Sequence, residues 1–153
     1  MNRLKLKIPP PIVGILFAVM IWLLSKGQTV QFIDQENRQI IALLLLAIAG
    51  TIDVWAILSF RSAKTTIDPR YPHKTSSIVS HGIYTLTRNP MYLGLVLILL
   101  SLSIYLGTLW GLLCVLAFIL YMNKFQIEAE EAYLEKQFGS LYLSYKSRVR
   151  RWV

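Results

Sequence analysis

Two adjacent glutamates, Glu130 and Glu131, stand near the carboxyl end of the chain, in a segment whose apolar residues recur at helical spacing. On a helical wheel that starts at Ile127, both carboxylates border or enter the apolar face, and Glu131 lies deeper than Glu130. An unpaired charge is costly on such a face, and a paired one usually marks a site. We therefore predict a helix that carries a site; the alternative is a helix of solvated glutamates.

A second group of polar and aromatic residues stands just before a long apolar run. Tyr84, Arg88 and Tyr92 are spaced by four, which would stack them if this segment were helical. Asn89 suits a helix N-cap, and Pro90 suits the first helical position, where a missing N–H costs nothing. Interfacial aromatic anchors and an arginine that faces lipid headgroups are the alternative explanation for Tyr84, Arg88 and Tyr92.

The composition places these residues in a membrane protein. Of the 153 residues, 55% are apolar and only 16% are charged, whereas soluble domains carry about 25% charged residues. Charges are absent from residues 8–25 and from 91–122, and residues 40–59 contain one, Asp53. One cysteine and two histidines exclude disulfide frameworks and give no convincing metal centre.

The run at 91–122 is too long for one transmembrane helix. As a helix its 32 residues would extend for about 48 Å, against a hydrocarbon core of about 30 Å. We predict that it folds back between Ser103 and Thr108, where Gly107 weakens the helix; the alternative is a single tilted helix. The predicted fold is an all-α membrane bundle in a single domain, with spans at about 8–25, 40–60, 90–105 and 107–123.

Charge distribution predicts the orientation of these spans. Lys and Arg exceed Asp and Glu before the first span, in the loop 61–90 and in the helical segment 124–153, and the two signs balance between the first two spans. Basic residues concentrate on the cytoplasmic side, so both termini and both polar segments are predicted to be cytoplasmic, in an inner or plasma membrane. The net charge of +8 is then explained without nucleic-acid binding, and it favours contact with anionic membrane lipids.

Four motifs, in order, resemble those of the isoprenylcysteine carboxyl methyltransferase and phospholipid methyltransferase family. Residues 76–84, SSIVSHGIY, are similar to the family's HTLVTSGxY loop, and residues 88–94, RNPMYLG, are similar to R-[HN]-P-x-Y-x-G. Residues 130–134, EEAYL, resemble E-E-x-x-L, and residues 138–145, FGSLYLSY, resemble F-G-x-x-Y-x-x-Y before a basic end. The likeness covers about residues 65–152.

This resemblance implies an integral-membrane methyltransferase that uses S-adenosylmethionine and takes a lipophilic or lipid-linked substrate from the bilayer. The nucleophile stays open: a carboxylate, a phospholipid amine or a small thiol. A non-enzymatic membrane scaffold is the rival from another class. Arg88, Glu131 and Gln126 are the candidates for a catalytic role. By position, the resemblance implies cofactor contacts at Ser76, Ser77, Ile78, Val79, Tyr84, Asn89, Pro90, Met91, Tyr92 and Glu130.

Two positions depart from the family pattern. Ser76 and Ser77 replace the His-Thr that opens the family loop, which leaves fewer side-chain donors for the cofactor. Gln126 stands where carboxyl-methylating members carry an arginine that can steer a substrate carboxylate, and Lys124, the nearest cation, is expected on another face of the helix. The first change weakens the cofactor loop, and the second argues against carboxylate methylation.

Overall fold

A computed structural model describes residues 8–27, 33–63 and 77–153. Within these ranges the chain forms α-helices, joined by turns, and no strand. The all-α prediction is therefore confirmed for the described residues. The helices are α1 (Pro10–Ser25), α2 (Gln35–Ser62), α3 (Pro90–Tyr105), α4 (Leu109–Tyr121), α5 (Glu128–Phe138) and α6 (Ser140–Arg148).

The predicted hairpin is present between α3 and α4. Helix α3 ends at Tyr105, Gly107 adopts φ of +63°, and α4 begins after Thr108. A residue without a Cβ adopts this left-handed conformation at no steric cost. A Cβ at Gly107 would also overlap the guanidinium of Arg38, which lies over the turn. The single tilted helix is therefore excluded.

Small residues line the seam between α2 and α3. Ala42, Ala49 and Ala56 recur every seven residues on α2, and each is at most 5% exposed. Gly94 and Ser101, also seven residues apart, lie on the facing side of α3, where the Ser101 hydroxyl donates a hydrogen bond to the carbonyl of Ala42 over 2.7 Å. Small side chains at a regular interval allow two helix backbones to approach closely.

A separate apolar core joins α1, α3 and α4. Phe118 is fully buried at its centre, and the ring of Phe17 on α1 meets it edge to face at a centroid distance of 5.5 Å. Ile21, Leu99 and Met122 pack into the same core. Because α3 belongs both to this core and to the α2 seam, it is the central helix of the bundle.

Two helical stretches are long and apolar enough to cross a bilayer. One is α2, and the other is the continuous run Leu109–Phe138, which joins α4 to α5 through a π-helical segment at Met122–Ile127. Helices α1 and α3 are apolar but shorter, with 16 residues each. The apolar part of the long run ends at Met122, because charged side chains are present from Lys124 onward. Helix α5 carries both charged and apolar residues. We treat α5 as lying outside the bilayer.

The C-terminal part folds back onto the start of α3. Gly139 ends α5 with φ of +53°, which permits a sharp bend into α6. The chain after α6 then docks on the segment before α3: the Arg88 N–H donates to the Arg150 carbonyl over 3.0 Å, and the Thr87 hydroxyl donates to the Arg151 carbonyl over 3.3 Å. The polar segments after α2 and after α4 thereby meet at one end of the bundle.

Candidate functional site

Helix α3 begins where the motif R-N-P-M-Y lies, and its first residues are fixed from two sides. Asn89 occupies the predicted N-cap position, but its side chain does not cap the helix. The N–H groups of Tyr92 and Leu93 already donate to the Asn89 carbonyl, and Pro90 has no N–H to offer. The amide of Asn89 instead donates to the Arg151 carbonyl over 2.8 Å, so it holds the C-terminal segment against the start of α3.

Tyr92, Gln126 and Glu130 form the first cluster, which we call the Glu130 cluster. The Tyr92 hydroxyl donates to Oε1 of Glu130 over 2.6 Å, and Nε2 of Gln126 donates to the same oxygen over 2.5 Å. Gln126 is 4% exposed and lies in the π-helical segment, four residues before Glu130. Two neutral donors thus hold the Glu130 carboxylate, which points toward Tyr92 of α3.

The protonation of Glu130 is sensitive to its surroundings. Burial raises the pKa of Glu130 to about 7, because it outweighs the hydrogen bonds from Tyr92 and Gln126, which act in the opposite direction. The neighbouring charge of Glu131 adds to the increase. Glu130 therefore changes charge near neutral pH, and a bound cation or hydrogen-bond donor would favour its ionised form.

Glu131 is the centre of a second group, the Glu131 cluster, which consists of ion pairs. The residue is 6% exposed, and its carboxylate accepts from Nη2 and Nε of Arg151 at 2.7 and 3.1 Å. Nη2 of Arg88 lies 3.1 Å away, and Nζ of Lys146 lies 3.7 Å away. The helical wheel correctly placed Glu131 inside. Its saturation by three cations favours a structural role, in which it ties α5 to α6 and to the start of α3.

Arg88 has more donor capacity than the Glu131 cluster uses. Its side chain is 10% exposed, and one edge pairs with Glu131. Among the residues that the structure describes, Nε and Nη1 of Arg88 are buried and have no hydrogen-bond partner. Each of these nitrogens can donate a hydrogen bond to a carboxylate or phosphate oxygen.

Part of the predicted cofactor loop forms a third, apolar group, the loop cluster. Val79, Ile83 and Tyr84 are buried against Ala56 of α2, with Met91 packed beside them. The Tyr84 ring meets Phe60 edge to face. Burial is the main cause that raises the pKa of Tyr84 well above its usual range, so this phenol stays neutral.

Of the remaining positions of the predicted cofactor loop, the structure describes Ser77 and Ile78. The Ser77 hydroxyl donates to the Ala63 carbonyl over 3.2 Å, which attaches the loop to the end of α2. Ile78 is half-buried next to the loop cluster. Ser76 lies outside the described residues.

Tyr84, Arg88 and Tyr92 do not stack, because the segment that carries them is not one continuous helix. Residues 82–85 make a 3₁₀ turn, and the chain bends again before Pro90, so the three side chains do not share a helix face. Tyr84 joins the loop cluster, Arg88 the Glu131 cluster and Tyr92 the Glu130 cluster. Residues 84–92 nevertheless connect the three clusters, because each cluster contains one residue of this segment.

Several residues of this region stand in the tyrosine motif or the basic end of the sequence, which did not assign them a place at the site. Lys146 and Arg151 pair with Glu131, and the Trp152 indole N–H donates to Oδ1 of Asn123 over 3.1 Å. Tyr145 points inward, where its hydroxyl donates to the Tyr84 carbonyl over 2.8 Å. The signal available in the sequence was the concentration of basic and aromatic residues at positions 142–152, which also fits anchoring at the membrane surface.

Comparison with known proteins identifies the family of the chain. The sequence profile of the phospholipid methyltransferase family matches residues 37–140, which is more than half of the chain. An uncharacterized protein of Haemophilus influenzae is 52% identical over 63 residues, which cover 41% of this chain and 100% of that protein. No solved structure matches the chain. The matched range includes α2 from its third residue onward, α3, α4, α5 and the three clusters' central residues, and the chain belongs to the phospholipid methyltransferase family.

Proposed function

We propose that the protein is a membrane methyltransferase that uses S-adenosylmethionine and methylates a lipophilic acceptor taken laterally from the bilayer. Family membership supports methyltransferase activity in general. The observation that carries the proposal further is the juxtaposition of the Glu130 cluster with Arg88 at the start of α3. A carboxylate held by neutral donors and a guanidinium with free donors lie here at the end of an apolar helix bundle.

The residues present fit the cofactor's polar parts. Nη1 of Arg88, unpartnered in the described part of the chain, suits an oxygen of the methionyl carboxylate. Glu130 suits the ammonium of that group or the ribose diol, both of which donate hydrogen bonds to a carboxylate. Tyrosine faces favour a sulfonium cation, and Tyr84 and Tyr92 lie on either side of Arg88 in sequence. The remaining proposed contacts are Ser76, Ser77, Ile78, Val79, Asn89, Pro90, Met91 and, through its bond to Glu130, Gln126.

The chemistry demands little of the side chains beyond placement. The bound cofactor supplies an electrophilic methyl group on a sulfonium sulfur. The chain's own task is to exclude water and to align the acceptor with that methyl group. The loop cluster supplies apolar, buried surface on one side, and the Glu131 cluster fixes the C-terminal segment on the other.

The topology is part of the proposal. We propose four spans, α1 to α4, with both termini and the three clusters on the cytoplasmic side of an inner or plasma membrane. The distribution of Lys and Arg supports this orientation. The outward faces of α1, α2 and α4 support contact with lipid, because large apolar side chains are exposed along them; examples are Ile15, Leu23, Leu43, Val54, Leu113 and Leu120.

The acceptor was left open between a carboxylate, an amine and a thiol. Gln126 is buried and donates to Glu130, while Lys124 points outward and pairs with Glu128 over 3.1 Å. Neither residue offers a free cation to a substrate carboxylate. This arrangement favours an acceptor other than the carboxylate that isoprenylcysteine methyltransferases modify.

A direct test is to incubate the purified protein with methyl-labelled S-adenosylmethionine and total membrane extract, and to identify the labelled species. We expect label in the lipid fraction, and at least about tenfold less with Glu130→Gln. The matched control is Glu128→Gln, which changes an exposed glutamate two residues away and should leave incorporation unchanged. Absence of both label and cofactor binding would favour a non-enzymatic scaffold.

A further inference from the structure

The turn between α3 and α4 carries two buried polar groups that lack partners. Arg38, in the first turn of α2, places its guanidinium over Gly107, where an added Cβ would overlap Nη1. Thr108 follows Gly107 in the chain and is 3% exposed. Among the residues that the structure describes, Nε of Arg38 and Oγ1 of Thr108 are buried and make no hydrogen bond. A guanidinium only donates and a hydroxyl can donate, so a ligand that satisfies both must offer acceptor oxygens.

Helix α4 begins at the same turn without a side-chain cap. Thr108 occupies the N-cap position, but its hydroxyl does not bond to the helix. The Gly111 N–H donates to the Thr108 carbonyl over 3.2 Å, and the N–H groups of Leu109 and Trp110 come before that first bond. Such N–H groups and the helix dipole attract anions. The start of α4 therefore adds backbone donors to those of Arg38 and Thr108.

Two nearby features bear on Arg38 but do not satisfy these groups. The carboxylate of Asp34, one turn earlier, accepts from the backbone N–H of Asn37 over 3.2 Å and from its side-chain amide over 2.6 Å, so it caps α2. The carboxyl end of α3 favours a cation nearby because of the helix dipole. In the described part of the chain, neither feature provides an acceptor to Nε of Arg38 or to the Thr108 hydroxyl.

The surface around this turn has the composition of a membrane interface. Four large side chains are about half exposed there: Tyr105, Leu109, Trp110 and Leu113. Tyrosine and tryptophan concentrate at the level of lipid headgroups, and the leucines beside them suit acyl chains. Helix α3, with 16 residues, separates this turn from the three clusters by about 24 Å. A ligand bound here is therefore remote from the proposed cofactor site.

We propose that Arg38, Thr108 and the start of α4 bind the phosphate group of a membrane lipid in the leaflet opposite the three clusters. The guanidinium donates to phosphate oxygens, and the Thr108 hydroxyl and the first N–H groups of α4 donate to the same group. The bound lipid links the start of α2 to the α3–α4 turn, which stabilises the bundle. It takes no part in methyl transfer, so this proposal is independent of the enzymatic function.

The test measures the melting temperature of the delipidated, detergent-purified chain as a probe is added. The probes are phosphatidylglycerol, a diacylglycerol with the same acyl chains and no phosphate, and inorganic phosphate. The variants are Arg38→Gln, which removes the charge, and Thr108→Val, which keeps the shape and removes the hydroxyl. The matched control is Lys26→Gln, because Lys26 is a cation that follows α1 and lies over the Trp22 ring.

Phosphatidylglycerol should raise the melting temperature of the wild type saturably, and the other two probes at the same concentration should not. Arg38→Gln should weaken the apparent affinity for this lipid by at least about tenfold, and Thr108→Val by at least about threefold. Lys26→Gln should stay within about twofold of the wild type. Without lipid, Thr108→Val should melt no lower than the wild type, because it removes an unpartnered buried hydroxyl. Thr108→Val therefore keeps the test decisive if Arg38→Gln fails to fold.

Equal affinities of the wild type and Thr108→Val for phosphatidylglycerol would overturn the proposal, and so would equal stabilisation by the diacylglycerol. An equal loss of affinity in Lys26→Gln would show general attraction to basic residues instead of a site at Arg38. A lower melting temperature of Thr108→Val before any lipid is added would assign the hydroxyl a structural role and also overturn the proposal. Stabilisation by inorganic phosphate as strong as that by the lipid would overturn the assignment to a lipid.

Discussion

At the scale of single residues, Glu130 and Glu131 are neighbours with opposite surroundings. Neutral donors hold Glu130, and three cations surround Glu131. The difference follows from one residue of helical rotation, which turns Glu130 toward Tyr92 of α3 and Glu131 toward Arg88 and Arg151. The raised pKa of Glu130 therefore lets its charge change near neutral pH.

Removal of the Glu131 charge should destabilise the protein. In Glu131→Gln the buried guanidinium of Arg88 loses its only described counter-ion, and loss of one partner of a buried ion pair costs about 3 kcal/mol. The matched control is Glu128→Gln, whose exposed pair with Lys124 contributes at most about 0.5 kcal/mol. Thermal unfolding in detergent measures both changes. Equal melting temperatures for the two variants would contradict the structural role of Glu131.

The raised pKa of Glu130 predicts a pH dependence of cofactor binding. With the pKa at about 7, Glu130 is mostly protonated at pH 6 and mostly ionised at pH 8. If the ionised carboxylate accepts the cofactor's N–H or O–H groups, affinity should rise by about tenfold from pH 6 to pH 8. Equilibrium binding of S-adenosylmethionine at several pH values measures this. The rise should persist in Glu128→Gln and disappear in Glu130→Gln; a rise of the same size in Glu130→Gln would assign it to another group.

At the scale of elements, the α2–α3 seam and the turn before α3 decide where the clusters lie. Ala42, Ala49 and Ala56 bring α2 close to α3, and the loop cluster lies at the end of that seam nearest the start of α3. The seam leaves room for one large polar group, Asp53, because Gly94 lies opposite. The placement of Asp53 thus depends on the close approach of the two helices and on the absence of a side chain at Gly94.

This dependence predicts a compensating pair of substitutions. Gly94→Ala should destabilise the protein by about 1 to 3 kcal/mol, because the added methyl group overlaps the Asp53 carboxylate. Addition of Asp53→Ala should restore most of that loss, which makes the two changes non-additive. Unfolding in detergent measures the four corners of this cycle.

A control glycine lies in the same helix as Asp53. Gly50 has no neighbouring described atom within 4 Å of an added Cβ, so Gly50→Ala should be neutral or stabilising by up to about 1 kcal/mol. Additive effects of Gly94→Ala and Asp53→Ala would contradict the close packing of Asp53 against Gly94.

The sequence predicted those features that have a local cause. The hairpin follows from the length of the run at 91–122 and from Gly107. The burial of Glu131 follows from helical periodicity. The seven-residue spacing of alanines on α2 was a further signal, and it could have located the α3-facing side of that helix.

Features that depend on distant backbone atoms were not predictable. Asn89 has the type and position of an N-cap, yet its amide donates to a carbonyl 62 residues away. Carbonyl acceptors such as those of Arg150 and Arg151 exist at every residue, so no residue type marks them. Tyr84 and Arg88 do not stack for a local reason, since a 3₁₀ turn at residues 82–85 precedes the start of α3 at Pro90 and no continuous helix carries both.

At the scale of the whole molecule, the three clusters lie at one end of the bundle, and the short α3–α4 turn lies at the other end. The loop 77–89, the start of α3, α5 and α6 meet at one end, and the α3–α4 turn at Gly107 marks the opposite end. Because the described parts of the two polar segments are in contact at one end of the bundle, both segments must lie on the same side of the membrane.

The orientation is testable with reporters. A reporter fused after Val153 should be accessible from the cytoplasm, and one inserted near residue 31 should be accessible from outside, because basic residues concentrate on the cytoplasmic side. Protease or thiol-labelling access in intact cells distinguishes the two sides. Access to both reporters from one side would contradict the four-span topology, most directly at α1 or at the α3–α4 hairpin.

The central claim is that the Glu130 cluster and Arg88 bind S-adenosylmethionine, and equilibrium binding of labelled cofactor to detergent-purified protein tests it most directly. The account predicts saturable binding by the wild type, unchanged binding by Glu128→Gln, and affinity at least about tenfold weaker in Glu130→Gln, since a charge-assisted hydrogen bond contributes about 1.5 to 3 kcal/mol. Absence of binding by the wild type, or equal affinities for the two variants, would contradict it.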